Sequence, residues 1–158
     1  MSSGEAHAKE ALRPVVEALC QGLDGTLVSL ALFGSRARGD ATPHSDWDLL
    51  LIAHNLPARV LQRHFFLKTL LPERWRARVS ILAKTPQEFE SRLPSLYLEI
   101  ALDAVVLFDP QGYLQLRLAR LQQAIARLGL RRERVGRDTI WCWQKPPAAW
   151  SLSWEELL

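Results

Sequence analysis

The sequence predicts an α/β (α+β) fold, a small mixed sheet with helices packed on one side, because short apolar runs alternate with stretches of helical periodicity. The apolar runs lie at 26–33, 47–53 and 77–83, each of strand length and rich in aliphatic or β-branched residues. A helical stretch precedes the first run, another separates the second from the third, and the C-terminal half is mainly helical.

In chain order, Ala8, Leu12, Val15, Val16, Leu19 and Leu23 recur at spacings of three and four and define the first helix. Gly22 and Gly25 punctuate the chain before the first strand, which ends at Gly34. A polar loop with Gly and Pro runs to Ser45, and the second strand follows as a nearly continuous apolar run. Val60, Leu61, Phe65 and Leu70 mark a helix that Pro72 stops, ahead of the third strand. Thr85, Pro86 and Glu88 spell a helix start with a capping box. Helical patterns are then expected over 95–107 and 111–128, the second closed by Gly129, and one further strand over 139–144 ahead of a Trp-rich tail. The whole chain reads as one domain, 1–158, with a core at 5–109 and a helical, Trp-rich extension at 110–158.

Composition narrows the classes. With 158 residues, 48% hydrophobic and 23% charged, the chain is long enough to bury a core and too apolar to be disordered. Arg dominates its basic residues, yet the formal net charge is only +3, which permits a polyanionic ligand, nucleic acid included, without requiring one. Cys20 and Cys142 have no His or Cys neighbours at zinc-ligand spacing. No stretch reaches the roughly 20 apolar residues that span a membrane. A cytoplasmic protein without membrane contact is expected.

The chemistry concentrates between Gly34 and Asp48. A glycine directly after a strand lets the backbone turn sharply and approach a ligand. Ser35 adds a hydroxyl, and a helical turn over 35–38 would aim free N–H groups at phosphate oxygens, with Arg36 or Arg38 adding charge. Asp46 and Asp48 are two residues apart, so on a strand they share a face. Two bare carboxylates repel there, and a hard divalent cation such as Mg²⁺ relieves them. The pattern points to a metal–triphosphate site.

These residues read GSRARGDATPHSDWDL. That segment resembles the signature GSxARGxxxxxSDxDL of the polymerase-beta-like nucleotidyltransferase superfamily, in its minimal, antitoxin-type branch. The fixed positions are met by Gly34, Ser35, Ala37, Arg38, Gly39, Ser45, Asp46, Asp48 and Leu49. The resemblance implies the nucleotidyltransferase fold, with Gly34, Ser35, Arg36, Arg38 and Ser45 toward the nucleotide phosphates, and Asp46 and Asp48 as metal-binding, catalytic acids. It implies Mg²⁺ as cofactor, a nucleoside triphosphate as substrate with ATP the expected donor, and transfer of AMP to a hydroxyl acceptor. Proteins of this kind act with a HEPN-type toxin partner, which would carry that hydroxyl. An aminoglycoside-type transferase fits less well, since such chains carry a larger second domain.

One position departs from the pattern. The family places a third carboxylate on the next strand, where two-metal catalysis needs it, and the matching residue here is Ser80. No Asp or Glu occurs from Arg74 to Gln87; Glu88, Glu99 and Asp103 are the nearest acids by sequence that could replace it. The alternative reading is therefore a catalytically degenerate nucleotide-binding or antitoxin module that acts by contact. Asp40 reads as a solvated turn residue, His44 as polar surface, and the Arg127, Arg131, Arg132, Arg134 and Arg137 stretch as a solvated face, a nucleic-acid contact or a docking surface for an acidic partner. Trp141, Trp143, Trp150 and Trp154 read as core.

Overall fold

The computed structural model describes residues 2–144 and 152–158. Its elements are α1 (Ser3–Gly22), β1 (Leu27–Phe33), a single turn α2 (Ser35–Arg38), β2 (Trp47–Ala53), α3 (Val60–Leu70), β3 (Val79–Lys84), α4 (Pro86–Ser91), α5 (Ser95–Asp103), β4 (Val105–Phe108), α6 (Tyr113–Arg127), β5 (Leu130–Val135), β6 (Asp138–Trp143) and α7 (Trp154–Leu157). The main sheet has the order β3-β2-β1-β4, and β5 and β6 form a separate hairpin. In the main sheet β1 is antiparallel to β2 and β4, while β2 is parallel to β3. This is the mixed α+β fold expected.

The helices cover both faces of the sheet, which corrects the expectation of one-sided packing. Leu30, Leu32, Leu49 and Leu51 join Leu12, Val15 and Leu19 of α1 and Leu67 of α3 in one core. Ala31, Leu50 and Ile52 point the other way, into a second core with Phe89, Tyr97, Leu98, Leu114, Leu118 and Leu121 from α4, α5 and α6. A strand buried on both sides needs apolar residues at every position, and the unbroken LLLIA of β2 is that requirement met.

Two strands lay outside the sequence expectation. The helical stretch at 95–107 stops at Asp103, and Val105–Phe108 pairs with β1 as an edge strand. The basic stretch at 130–135 is β5, paired with β6. Thr85 and Glu88 form the capping box as read, with Thr85 Oγ1 accepting from the Glu88 N–H. Trp141 and Trp143 are half-buried against the second core, Trp154 is buried in it, and Trp150 lies outside the described residues. The Trp154 indole N–H reaches the carbonyls of Phe89 (2.9 Å) and Arg92 (3.2 Å), tying the chain's end to the α4–α5 link.

β3 is an edge strand, and α3 seals its outer side. Lys68 Nζ donates to the Val79 carbonyl, and Arg63 Nη1 donates to the Ala83 carbonyl at 3.1 Å. Arg63 is buried and also holds Glu88 through two bonds, of 2.7 and 2.9 Å. Among the described residues no helix is long and apolar enough to cross a membrane.

Candidate functional site

Phe33, the last residue of β1, is the register partner of Asp48 on β2. Gly34 follows with φ 74° and ψ −157°, a region essentially closed to any residue with a side chain. A Cβ there would lie 2.5 Å from Asp48 Oδ2. The glycine therefore lets the backbone pass directly beneath the carboxylate. Ser35–Arg38 then make one helical turn, with the Ala37 and Arg38 N–H groups on the Gly34 carbonyl and those of Gly39 and Asp40 on the Ser35 carbonyl. Gly39, left-handed at φ 85°, ends the turn.

The loop that leads to the acids is braced from within. Arg36 folds back, donating from Nε (3.0 Å) and Nη2 (2.7 Å) to the Ser45 carbonyl, with its guanidinium 4.4 Å from the centre of the Trp47 ring. Ser45 Oγ accepts from the Thr42 N–H at 2.9 Å. Both residues, expected at the phosphates, spend their bonds here on the loop and fix the approach to Asp46. Arg38 points to Asp40 (3.3 Å), whose carboxylate also receives Arg134 of β5 at 3.0 Å. Asp40 is exposed, as expected of a solvated loop residue, and it also joins the loop to the hairpin; against an opposing effect of desolvation, its two arginines hold its carboxyl below the ordinary range. His44 is exposed on the same loop.

Asp46 is exposed and sits one residue before β2; alternation puts its side chain on the face of Asp48, which is half-buried. Burial pushes the Asp48 carboxyl above its ordinary value, the Asp46 charge pushes it further, and Arg38 works in the opposite direction. A half-buried acid beside another acid is a charge that calls for a cation. On the other side of β2, Asp48 pairs in register with Ser80 of β3, which is exposed. The position expected to hold the third acid therefore lies abreast of Asp48 and bears a hydroxyl.

The acids that might have replaced it are engaged elsewhere. Glu88 is bound to Arg63 and to the Thr85 N–H, and Asp103 is bound to Arg132 of β5, near which Glu99 also lies. Among the described residues no group of three or more His, Cys, Asp or Glu is arranged to hold a metal. Asp46 and Asp48, with Gly34 leaving room beside them, suit one hard divalent cation that takes its other ligands from phosphate and water. They do not suit two.

Residues 12–143 match the nucleotidyltransferase domain family, a span that contains every residue of this site. The chain belongs to the nucleotidyltransferase family. A Methanocaldococcus jannaschii member that bears the name protein adenylyltransferase is 33% identical over 106 residues, covering 65% of this chain and 72% of its own. Among solved structures, a toxin–antitoxin with AMP-PNP is similar at a TM-score of 0.53 and 17% identity, covering 73% of this chain and 87% of that one. A mutant of the toxin–antitoxin MntA-HpeT is similar at 0.52 and 19%, covering 73% and 86%. These two likenesses are of fold.

Within the family fold, Gly34, Ser35, Arg38, Asp46 and Asp48 gather where β1 ends and β2 begins, as their spacing implied. Arg134 is the neighbour that sequence reading placed on a general basic surface. Its signal was the alternation in LRRERV, which puts Arg132 and Arg134 on one face of a strand.

Proposed function

We propose that this protein binds ATP with Mg²⁺ at the Gly34 turn and transfers AMP to a hydroxyl on a protein partner, a HEPN-type toxin. The observation that carries the reading is Asp48 resting on a glycine that admits no side chain. The similarity to a protein adenylyltransferase supports AMP as the group transferred. Asp46 and Asp48 would hold the cation, which when bound neutralises triphosphate charge and makes the α-phosphorus more electrophilic. Ser35 and the first N–H groups of its turn face the phosphates, and Arg38 adds positive charge. The acceptor oxygen bonds to the α-phosphorus, the bond to the β-phosphate oxygen breaks, pyrophosphate leaves, and the acceptor's proton passes to water. The reading places this transfer in the cytoplasm, where ATP is at hand.

A second reading is favoured by Ser80, abreast of Asp48 where a third acid would be. In that reading the protein grips Mg-nucleotide and acts on its partner by contact alone. One cation on a triphosphate needs only one or two protein carboxylates, so binding outlives the loss of transfer. Titration with Mg-ATP, followed by an assay of labelled AMP incorporation into partner candidates, separates the two. Incorporation that Asp46→Asn abolishes establishes transfer. Binding without incorporation, together with incorporation by Ser80→Asp, establishes the contact module, and a protein that binds neither nucleotide nor metal refutes both.

A further inference from the structure

We propose that a cleft between β3 and the α4–α5 link receives the acceptor, and that the segment it takes is an extended, acidic polypeptide. The direction of approach rests on the transfer reading above; the ligand chemistry does not. Side chains alternate along β3, so Leu82 and Lys84 share the face of Ser80 and Asp48, at roughly 7 and 13 Å along the strand from Ser80. There a cavity of 560 Å³ opens, walled by Leu82, Lys84, Arg92, Leu96 and Tyr97.

Position favours an acceptor. In phosphoryl transfer the entering and leaving oxygens lie roughly in line. The Gly34–Ser35 turn lies at the end of β1, on one side of Asp48, and would hold the departing pyrophosphate. The entering hydroxyl then comes from the opposite side, across Ser80 of β3. The cleft begins on that side.

Chemistry defines the occupant. Tyr97 is only 3% exposed and lines the cleft, and no hydrogen bond of its hydroxyl is found among the described residues. Beside the cleft it can donate a hydrogen bond to an acceptor group lodged there. Burial and the nearby Glu88 push its pKa up to about 12, keeping it a donor. Lys84 and Arg92 form no ion pair among the described residues, and Glu88, the acid on the rim, is held by Arg63. Two cations and a hydroxyl donor over the apolar Leu82 and Leu96 suit a peptide whose carboxylates alternate with less polar groups. The wall is rigid, since Trp154 pins the Phe89 and Arg92 carbonyls.

The test uses the full chain and a fluorescein-labelled peptide of glutamates flanking one tyrosine, read by fluorescence anisotropy. Binding is expected to weaken about tenfold in Arg92→Glu and in Lys84→Glu, about threefold in Tyr97→Phe, and with added salt. Mg-ATP affinity, measured by calorimetry, should be unchanged in all three variants, whose melting curves report that they are folded. Equal binding of a lysine-flanked peptide, or full glutamate-peptide affinity in the folded variants, overturns the proposal. So does a loss of Mg-ATP binding with peptide binding intact, which would give the cleft to the nucleotide. A peptide that binds as expected but accepts no AMP, even from Ser80→Asp, counts against transfer and upholds the cleft.

Discussion

Replacing Gly34 with Ala probes the site most directly, because two independent penalties meet at one methyl group. The backbone stands at φ 74°, ψ −157°, where a residue with a Cβ carries about 1–3 kcal/mol of strain. The added carbon would also sit 2.5 Å from Asp48 Oδ2, too close for any contact, so the carboxylate or the turn must move. For a domain of this size each kcal/mol lowers the melting temperature by roughly 2–4 °C, which puts the expected fall at about 2–12 °C. Movement of Asp48 away from Asp46 would also dismantle the proposed cation site, so the rise in melting temperature expected for the parent with Mg-ATP should be absent in Gly34→Ala. Differential scanning calorimetry with and without Mg-ATP measures both effects. A variant with parental stability and a parental shift on adding Mg-ATP would show that neither the glycine conformation nor the Asp48 contact matters, and the reading of the site would fall.

Asp48→Asn should stabilise the apo protein by about 1 kcal/mol at neutral pH while removing its stabilisation by Mg²⁺. The sign follows from a folded-state pKa raised by burial and by Asp46: as pH climbs through the ordinary carboxylate range the unfolded acid ionises first, and the folded state loses ground that an amide never loses. Denaturant melts at pH 4 and pH 7 check this. Glu88 behaves oppositely, since Arg63 lowers its pKa from 4.5 to about 2; its contribution is complete above pH 4.5 and lost as pH falls toward 2. Its side chain is 40% exposed, so screening limits this to about 1–2 kcal/mol, and Glu88→Gln should flatten that part of an acid-denaturation curve. Trp154→Phe leaves the Phe89 and Arg92 carbonyls without their indole donor and should cost about 1–3 kcal/mol in urea denaturation.

How far the sequence carried can be judged residue by residue. The Gly34 turn and the Asp46–Asp48 pair were legible because they depend on local geometry, the one on a missing side chain and the other on a two-residue period. Two-sided burial was also written in β2, but an apolar run does not say where the covering helices come from. β4 escaped because Val105–Phe108 continues the apolar character of α5, and only its pairing with β1 makes it a strand. The charge of Arg36 was visible in the sequence, whereas its bond to the Ser45 carbonyl was not. The partners of Glu88, Asp103 and Asp40 stand 25, 29 and 94 residues away, and ion pairs at that range leave no local pattern.

The sealing of β3 by Arg63 and Lys68 bears on how other chains can associate with this one. An uncovered margin of a sheet is a template onto which any extended backbone can be spliced, with little regard for sequence. Here the Val79 and Ala83 carbonyls are already spoken for, and a newcomer would have to evict one cation that is itself locked to Glu88. At those two carbonyls that border is obstructed to a strand added without regard to sequence. Whatever binds on that side must be read through its side chains, so promiscuity is curbed by the fold itself.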